Sequence, residues 1–137
     1  MARWWTAIGI VAAVSILATV AIAGRLSPTR SAHPNLTAQA RSVATEFFRS
    51  QNERRYASTC RLLARGFYRS HALRDRRTCT AVMRVAFVWS SKIDFRIGRV
   101  TREGIRVVVH AVADGAPGQI VLVPEDGALR ILALHGA

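Results

Sequence analysis

Twenty consecutive positions from Trp4 to Ala23, WWTAIGIVAAVSILATVAIA, carry no formal charge. That is about the length an α-helix needs to cross the hydrocarbon layer of a membrane. The next stretch, GRLSPTRSAHP from Gly24 to Pro34, has Gly, Ser, Thr and two prolines but no apolar period, and reads as a linker. A helical period then begins: Leu36, Ala40, Val43, Ala44, Phe47 and Phe48 fall on one face, with Asn35 placed to cap it. A second helix is predicted from Ala57 to about Phe67, turning Cys60, Leu63 and Phe67 inward and leaving Arg61, Arg65 and Arg69 along an outer stripe. A third, capped by Thr78, would bury Cys79, Val82, Met83, Ala86 and Phe87.

From Ile93 the period changes to two. IDFRIGRV alternates, Glu103-Gly104 supplies a turn before IRVVVHAVAD, and QIVLVP and ALRILALH flank the turn Glu125-Asp126-Gly127. Helices first and consecutive strands afterwards give an α+β domain: about three helices packed on one face of a four-stranded antiparallel sheet. The expected organisation is a transmembrane signal anchor or signal peptide over residues 1–24, a linker over 25–34, and one domain over 35–137.

The leading run admits two readings. Trp4 and Trp5 suit a membrane interface, Arg3 gives the short basic flank of an anchor, and the run is longer than the apolar core of most cleaved signals. Ala21-Ile22-Ala23 nevertheless has the small-x-small form that signal peptidase reads. Arg25 and Arg30 leave the orientation open on charge alone. The expected location is the cell membrane, single-pass, with the domain on the extracytoplasmic side.

Charge changes the picture less than its size suggests. The formal net charge is +12, yet 19 of the 20 basic residues are arginine, which points to coding bias and weakens arguments from arginine counts. Its distribution is more informative. Residues 41–84 hold eleven Arg against Glu46, Glu53 and Asp75, whereas residues 93–137 hold five Arg and five acids. The excess centres on Arg61, Arg65, Arg69, Arg74, Arg76 and Arg77, a basic surface patch between the two cysteines. Nucleic acid is disfavoured by the compartment and the near absence of Lys, leaving a solvated face, anionic lipid headgroups or an acidic envelope protein as partners.

Cys60 and Cys79 are the only cysteines. Zinc would need about four ligands, and His33, His71, His110 and His135 lack paired spacing, so no metal is expected. A reactive thiol would want partial exposure, whereas both cysteines fall on apolar helical faces. In an oxidising compartment the pair favours a disulfide over two inert buried thiols.

The order of elements carries a resemblance. An apolar anchor, a linker, the helix TAQARSVATEFFRSQNERRYASTCRLL, a second cysteine before VMRVAF, and strands closing in EDGALRILAL resemble the nuclear-transport-factor-2-like superfamily. This superfamily is also described as cystatin-like or SnoaL-like. The likeness is to its small, membrane-anchored extracytoplasmic type common in actinobacteria. Asp126, Gly127, Arg130 and Ile131 match the closing motif, while Leu129 stands where such proteins often have Trp. The resemblance implies a cone, with helices against a strongly curved sheet and a cavity at the wide end. Relatives serve as isomerases and dehydratases, ligand carriers, or anchored assembly factors.

Catalysis would need a tuned acid or base in that cavity, and only Asp94 and His110 are candidates on the strands. No Ser-His-Asp order, Gly-rich phosphate loop or HExxH run is present, and no cofactor is implied. The expected function is therefore a non-catalytic, membrane-anchored extracytoplasmic binding or assembly module. A small apolar-ligand binder using the cone is the alternative.

Overall fold

The computed structural model describes residues 30–31 and 34–136. The charge-free run Trp4–Ala23 and most of the linker lie outside the described residues. Among those described, no helix is long and apolar enough to cross a membrane.

The domain is α+β, in the predicted order. A two-residue strand β1 (Arg30–Ser31) precedes helices α1 (Pro34–Asn52), α2 (Tyr56–Arg61), α3 (Arg65–Ser70) and α4 (Arg76–Ala86). Strands β2 (Phe95–Glu103), β3 (Arg106–Ala113), β4 (Ala116–Glu125) and β5 (Ala128–Gly136) follow. They form one antiparallel sheet in sequence order. β1 adds to its edge through Arg30 opposite Arg102 and Ser31 opposite Thr101, so part of the expected linker belongs to the sheet.

Turn chemistry accounts for two of the hairpins. Asp114-Gly115 has φ of 50° and 78°, and Asp126-Gly127 has 51° and 77°. Paired positive φ values match the twist of the flanking strands, and Asp-Gly adopts them at low cost.

Helix α1 opens on Pro34, whose missing N–H is no loss in a first turn, so Asn35 lies inside the helix rather than capping it. The predicted face is otherwise followed: Ala40, Ala44, Phe47 and Phe48 are buried, with Leu36 and Val43 packed beside them. Two polar clasps position the rest. The buried hydroxyls of Ser50 and Thr59 meet at 2.7 Å and tie α1 to α2. Asn52 receives the Ile93 N–H at 2.7 Å and donates to its carbonyl at 3.0 Å, setting the chain into the sheet.

The second predicted helix is broken in two. Leu62–Ala64 leaves helical geometry because it docks on β5. The Ala64 N–H donates to the Ile131 carbonyl and the Ile131 N–H to the Leu62 carbonyl, both at 2.7 Å. Helix α4 starts earlier than expected, since Asp75 and not Thr78 is its cap; its carboxylate accepts from the Thr78 N–H at 2.8 Å.

On α4, Cys79, Met83 and Phe87 point inward as predicted, but Val82 and Ala86 are exposed. The reason is geometric. Helix α4 packs chiefly against α2 through the stripe Cys79, Met83 and Phe87, and Val82 and Ala86, three residues on from Cys79 and Met83, fall outside that contact. Between the layers, Phe67, Val107, Val109, Ile120, Leu122 and Ile131 are almost fully buried.

Candidate functional site

Cys60 at the end of α2 and Cys79 in α4 are joined in a disulfide, their Cα atoms 6.1 Å apart. No free cysteine remains. The bridge encloses α3 and a loop that has a definite stop and start. After Ser70, Ala72 adopts φ 53°, the Leu73 N–H reaches the Tyr68 carbonyl at 2.8 Å, and the Ala72 N–H reaches that of Arg69 at 3.3 Å. This pair of bonds is the Schellman ending of a helix, here with alanine where glycine is usual. Asp75 then opens α4, its carboxylate held below the usual range mainly by the Thr78 N–H.

Within this frame α2, α3, the loop and β5 surround a cleft of about 440 Å³. Arg61, Arg65, Arg69, Arg74, Arg76 and Arg130 line it against Asp75, Glu125 and Asp126. Five of the six arginines predicted as a patch are therefore brought together. Arg77 is exposed but is not among the lining residues.

The arginines divide by role. Arg65 pairs with Asp126 at 3.0 Å, and its backbone N–H donates to Glu125 at 3.1 Å, riveting α3 to the β4–β5 turn. Arg130 donates to the Arg61 carbonyl, fastening β5 to the end of α2. Arg61 in turn reaches the Ser58 hydroxyl at 3.0 Å. Arg69, Arg74 and Arg76 have no carboxylate within ion-pair distance among the described residues, although Arg74 acts on Asp75 at longer range and helps to hold its carboxylate down.

Tyr68 forms part of the wall. Its hydroxyl donates to the Cys60 carbonyl at 2.7 Å, and burial raises its pKa while Arg76 works against that rise. Beneath, Phe67 is buried and stacks on the His71 ring at 4.1 Å between centroids. Arg130, noted in the sequence only as part of the closing motif, is the arginine of the cleft that was not placed in the basic patch, and Tyr68, Asp75 and Glu125 join the lining as well. The signal for Arg130 was a lone charge between Leu129 and Ile131 in an otherwise apolar strand.

The two catalytic candidates are not brought together. His110 alternates with Val109 and Ala111, both in the core between helices and sheet, so its side chain lies on the opposite face. There it lines a separate groove of about 400 Å³ with Arg96, Val112, Pro117 and Gly118. A β-bulge between Ile97 and Val100 sits opposite it, and a Cβ at Gly98 would come within 3.0 Å of the His110 carbonyl oxygen. Asp94 is exposed at the mouth of β2, where its backbone pairs with Asp114 through bonds of 2.7 and 2.9 Å. Among the described residues no cluster of His, Cys, Asp and Glu is arranged to hold a metal ion.

His110 makes a pH prediction. Partial burial, with Arg99 adding to it and Glu103 opposing, lowers its pKa below the ordinary 6.5. The unfolded chain then binds the proton more readily than the folded one. The contribution to stability is full above pH ~6.5 and is lost as pH falls through the lower folded value. Urea midpoints should therefore drop between neutral and mildly acid pH, and His110→Gln should flatten that part of the curve. An unchanged profile in the variant would refute the assignment.

No family model matches the chain, and neither a curated protein nor a solved structure shows significant similarity to it.

Proposed function

We propose that the chain is a non-catalytic binding or assembly module, anchored in the cell membrane by Trp4–Ala23 with its domain on the extracytoplasmic side, and that its arginine cleft receives an acidic group of an envelope partner. The observation that carries this reading is the cleft itself. Six guanidinium groups face three carboxylates there, and Arg69, Arg74 and Arg76 remain unneutralised. A concave site with a positive surplus draws in anions and strengthens their binding as water is displaced. The Arg65 backbone N–H held by Glu125 ties the start of α3 to the β4–β5 turn, so part of the cleft wall is organised before any partner arrives. The disulfide supports the extracytoplasmic placement, because such bonds persist in oxidising compartments.

The cone of the nuclear-transport-factor-2-like superfamily remains the proposed shape. Helices on one face of an antiparallel sheet support it, as do the register shifts at Ile97/Val100 and Val121/Leu122, since bulges bend the strands that carry them. An assembly role is favoured over an apolar-ligand role because Phe47, Phe48, Phe67, Phe87, Ile120 and Leu122 occupy the layer between helices and sheet. A ligand-carrying cone would keep about 300 Å³ or more of that layer open.

The test is a titration of the full chain in detergent with a hexaglutamate peptide. Binding should weaken with added salt, and the double variant Arg69→Glu/Arg74→Glu should lose at least about tenfold in affinity. Binding unaltered by the double charge reversal would remove the cleft from consideration. Alkaline phosphatase fused at the carboxyl end should be active in intact cells, and an inactive fusion would overturn the placement.

A further inference from the structure

Helix α4 presents an apolar surface that no part of the described domain covers. Its inward stripe is committed to the core through Cys79, Met83 and Phe87. On the outward side Val82 is 46% exposed, Val85 75% and Trp89, just past the helix end, 95%. Val82 and Val85, three positions apart, lie along one line of the helix, and exposed Val88 and Trp89 follow in the turn just past its end. A single exposed aliphatic residue is ordinary, but a row of three valines ending in a bare tryptophan on one short element marks an interaction surface.

The surrounding charge selects the occupant. From Arg76 to Ile93 the chain contains Arg76, Arg77, Arg84 and Lys92 and no acidic residue. Arg77 and Arg84, seven positions apart, share one exposed side of the helix, about a quarter turn round from Val85. An apolar stripe whose own segment, between Asp75 and Asp94, carries cations alone, with tryptophan at its end, matches the boundary of an anionic bilayer. The acyl chains take the valines, the interface takes the indole ring, and the headgroups meet the arginines.

Chain length keeps the domain close to the membrane. β1 pairs with β2 from Arg30 onward, so only residues 24–29 separate it from the apolar run ending at Ala23. Even fully extended, that connection spans no more than about 25 Å.

We infer that the outward face of α4, through Val82, Val85 and Trp89 with Arg77 and Arg84, is a membrane-interfacial contact for anionic lipid. The surface does not depend on the arginine cleft. It rests on the proposed anchor only for its proximity to the membrane.

Trp89 is the one tryptophan outside the leading run, which makes it a direct probe. The full chain carrying Trp4→Phe and Trp5→Phe is reconstituted into vesicles of phosphatidylcholine alone or mixed equally with phosphatidylglycerol. In the anionic vesicles Trp89 emission should shift to the blue and be quenched by acyl-brominated lipid, more strongly than in phosphatidylcholine. Val85→Asp should return it to the emission of an exposed indole while leaving the melting temperature unchanged, since Val85 contributes little to the core. Arg77→Glu/Arg84→Glu should abolish the preference for the anionic lipid. An unquenched Trp89 in anionic vesicles overturns the inference. So does a blue shift that grows with protein density and ignores bromolipid, which would assign the face to a second copy of the chain. Flotation of the vesicles reads the anchor separately. A chain that floats with Trp89 unquenched loses the contact but keeps the anchor. If the chain fails to float, the anchor is lost, and quenching on addition to preformed vesicles then decides the contact.

Discussion

Replacing Cys60 and Cys79 together by alanine is expected to lower the stability of the domain by about 3 kcal/mol, the chain-entropy value for a closed loop of roughly this length. The two residues are 19 positions apart, and the bridge ties α2 to α4 across the arginine-rich segment. Without it the unfolded ensemble gains freedom that the folded state cannot match. A domain near 100 residues typically has about 5 to 15 kcal/mol in total, so the loss is a large fraction. Urea unfolding under oxidising conditions should show the difference, and a reductant should bring the wild-type chain down toward the variant. Equal midpoints without reductant would contradict the structural role of the bridge. Alanine also removes two buried sulfur atoms, so reduced wild type is the reference that isolates the covalent link.

The second large effect belongs to Phe67. Its ring is 1% exposed and lies under the cleft, stacked on His71. Helix α3 has only six residues and cannot hold itself together by its own hydrogen bonds. Its place is set by the Phe67 ring below, by the Leu62–Ala64 pairing with Ile131 before it, and by Arg65 on the β4–β5 turn. Phe67→Ala should therefore cost about 3 to 5 kcal/mol, combining lost burial with a cavity that the surroundings fill only in part. The cleft should fail with it, because Arg69 and Arg74 would no longer be held in position. Arg69→Glu/Arg74→Glu should behave oppositely, losing the anion while keeping the urea midpoint near wild type. A Phe67→Ala chain with normal stability, or with intact hexaglutamate binding, would show that the core does not position this site.

The face Ala40, Ala44, Phe47, Phe48 and the alternation Ile93, Phe95, Ile97 are legible because burial of a regular element imposes its own period on the residues. The disulfide was legible too, once an oxidising compartment was inferred from the leading run. The break at Leu62–Ala64 was hidden, since Cys60, Leu63 and Phe67 keep helical spacing through it. What ends α2 is a pair of backbone bonds to a strand that lies near residue 131, and backbone bonds leave no side-chain pattern. Val82 was placed inward on period alone, whereas the structure has no layer for it to meet.

For the cleft, the cluster from Arg61 to Arg77 was visible as composition, but its division into riveting and unneutralised arginines was not. That division depends on Glu125 and Asp126, about sixty positions away, which hairpin closure brings to Arg65. Arg130 enters from the same distant strand.

By itself, then, the order of residues determined the class of fold, the succession of helices and strands, the inward faces of the long elements and the one pair of thiols that could be joined. Each of these follows from local periodicity or from the scarcity of candidates. Tertiary structure alone decided which charges are neutralised, where the second predicted helix breaks, and which side of α4 is left uncovered. Those outcomes depend on contacts between segments far apart in the chain, and such contacts are set by how whole layers pack, beyond the reach of any window of neighbouring residues.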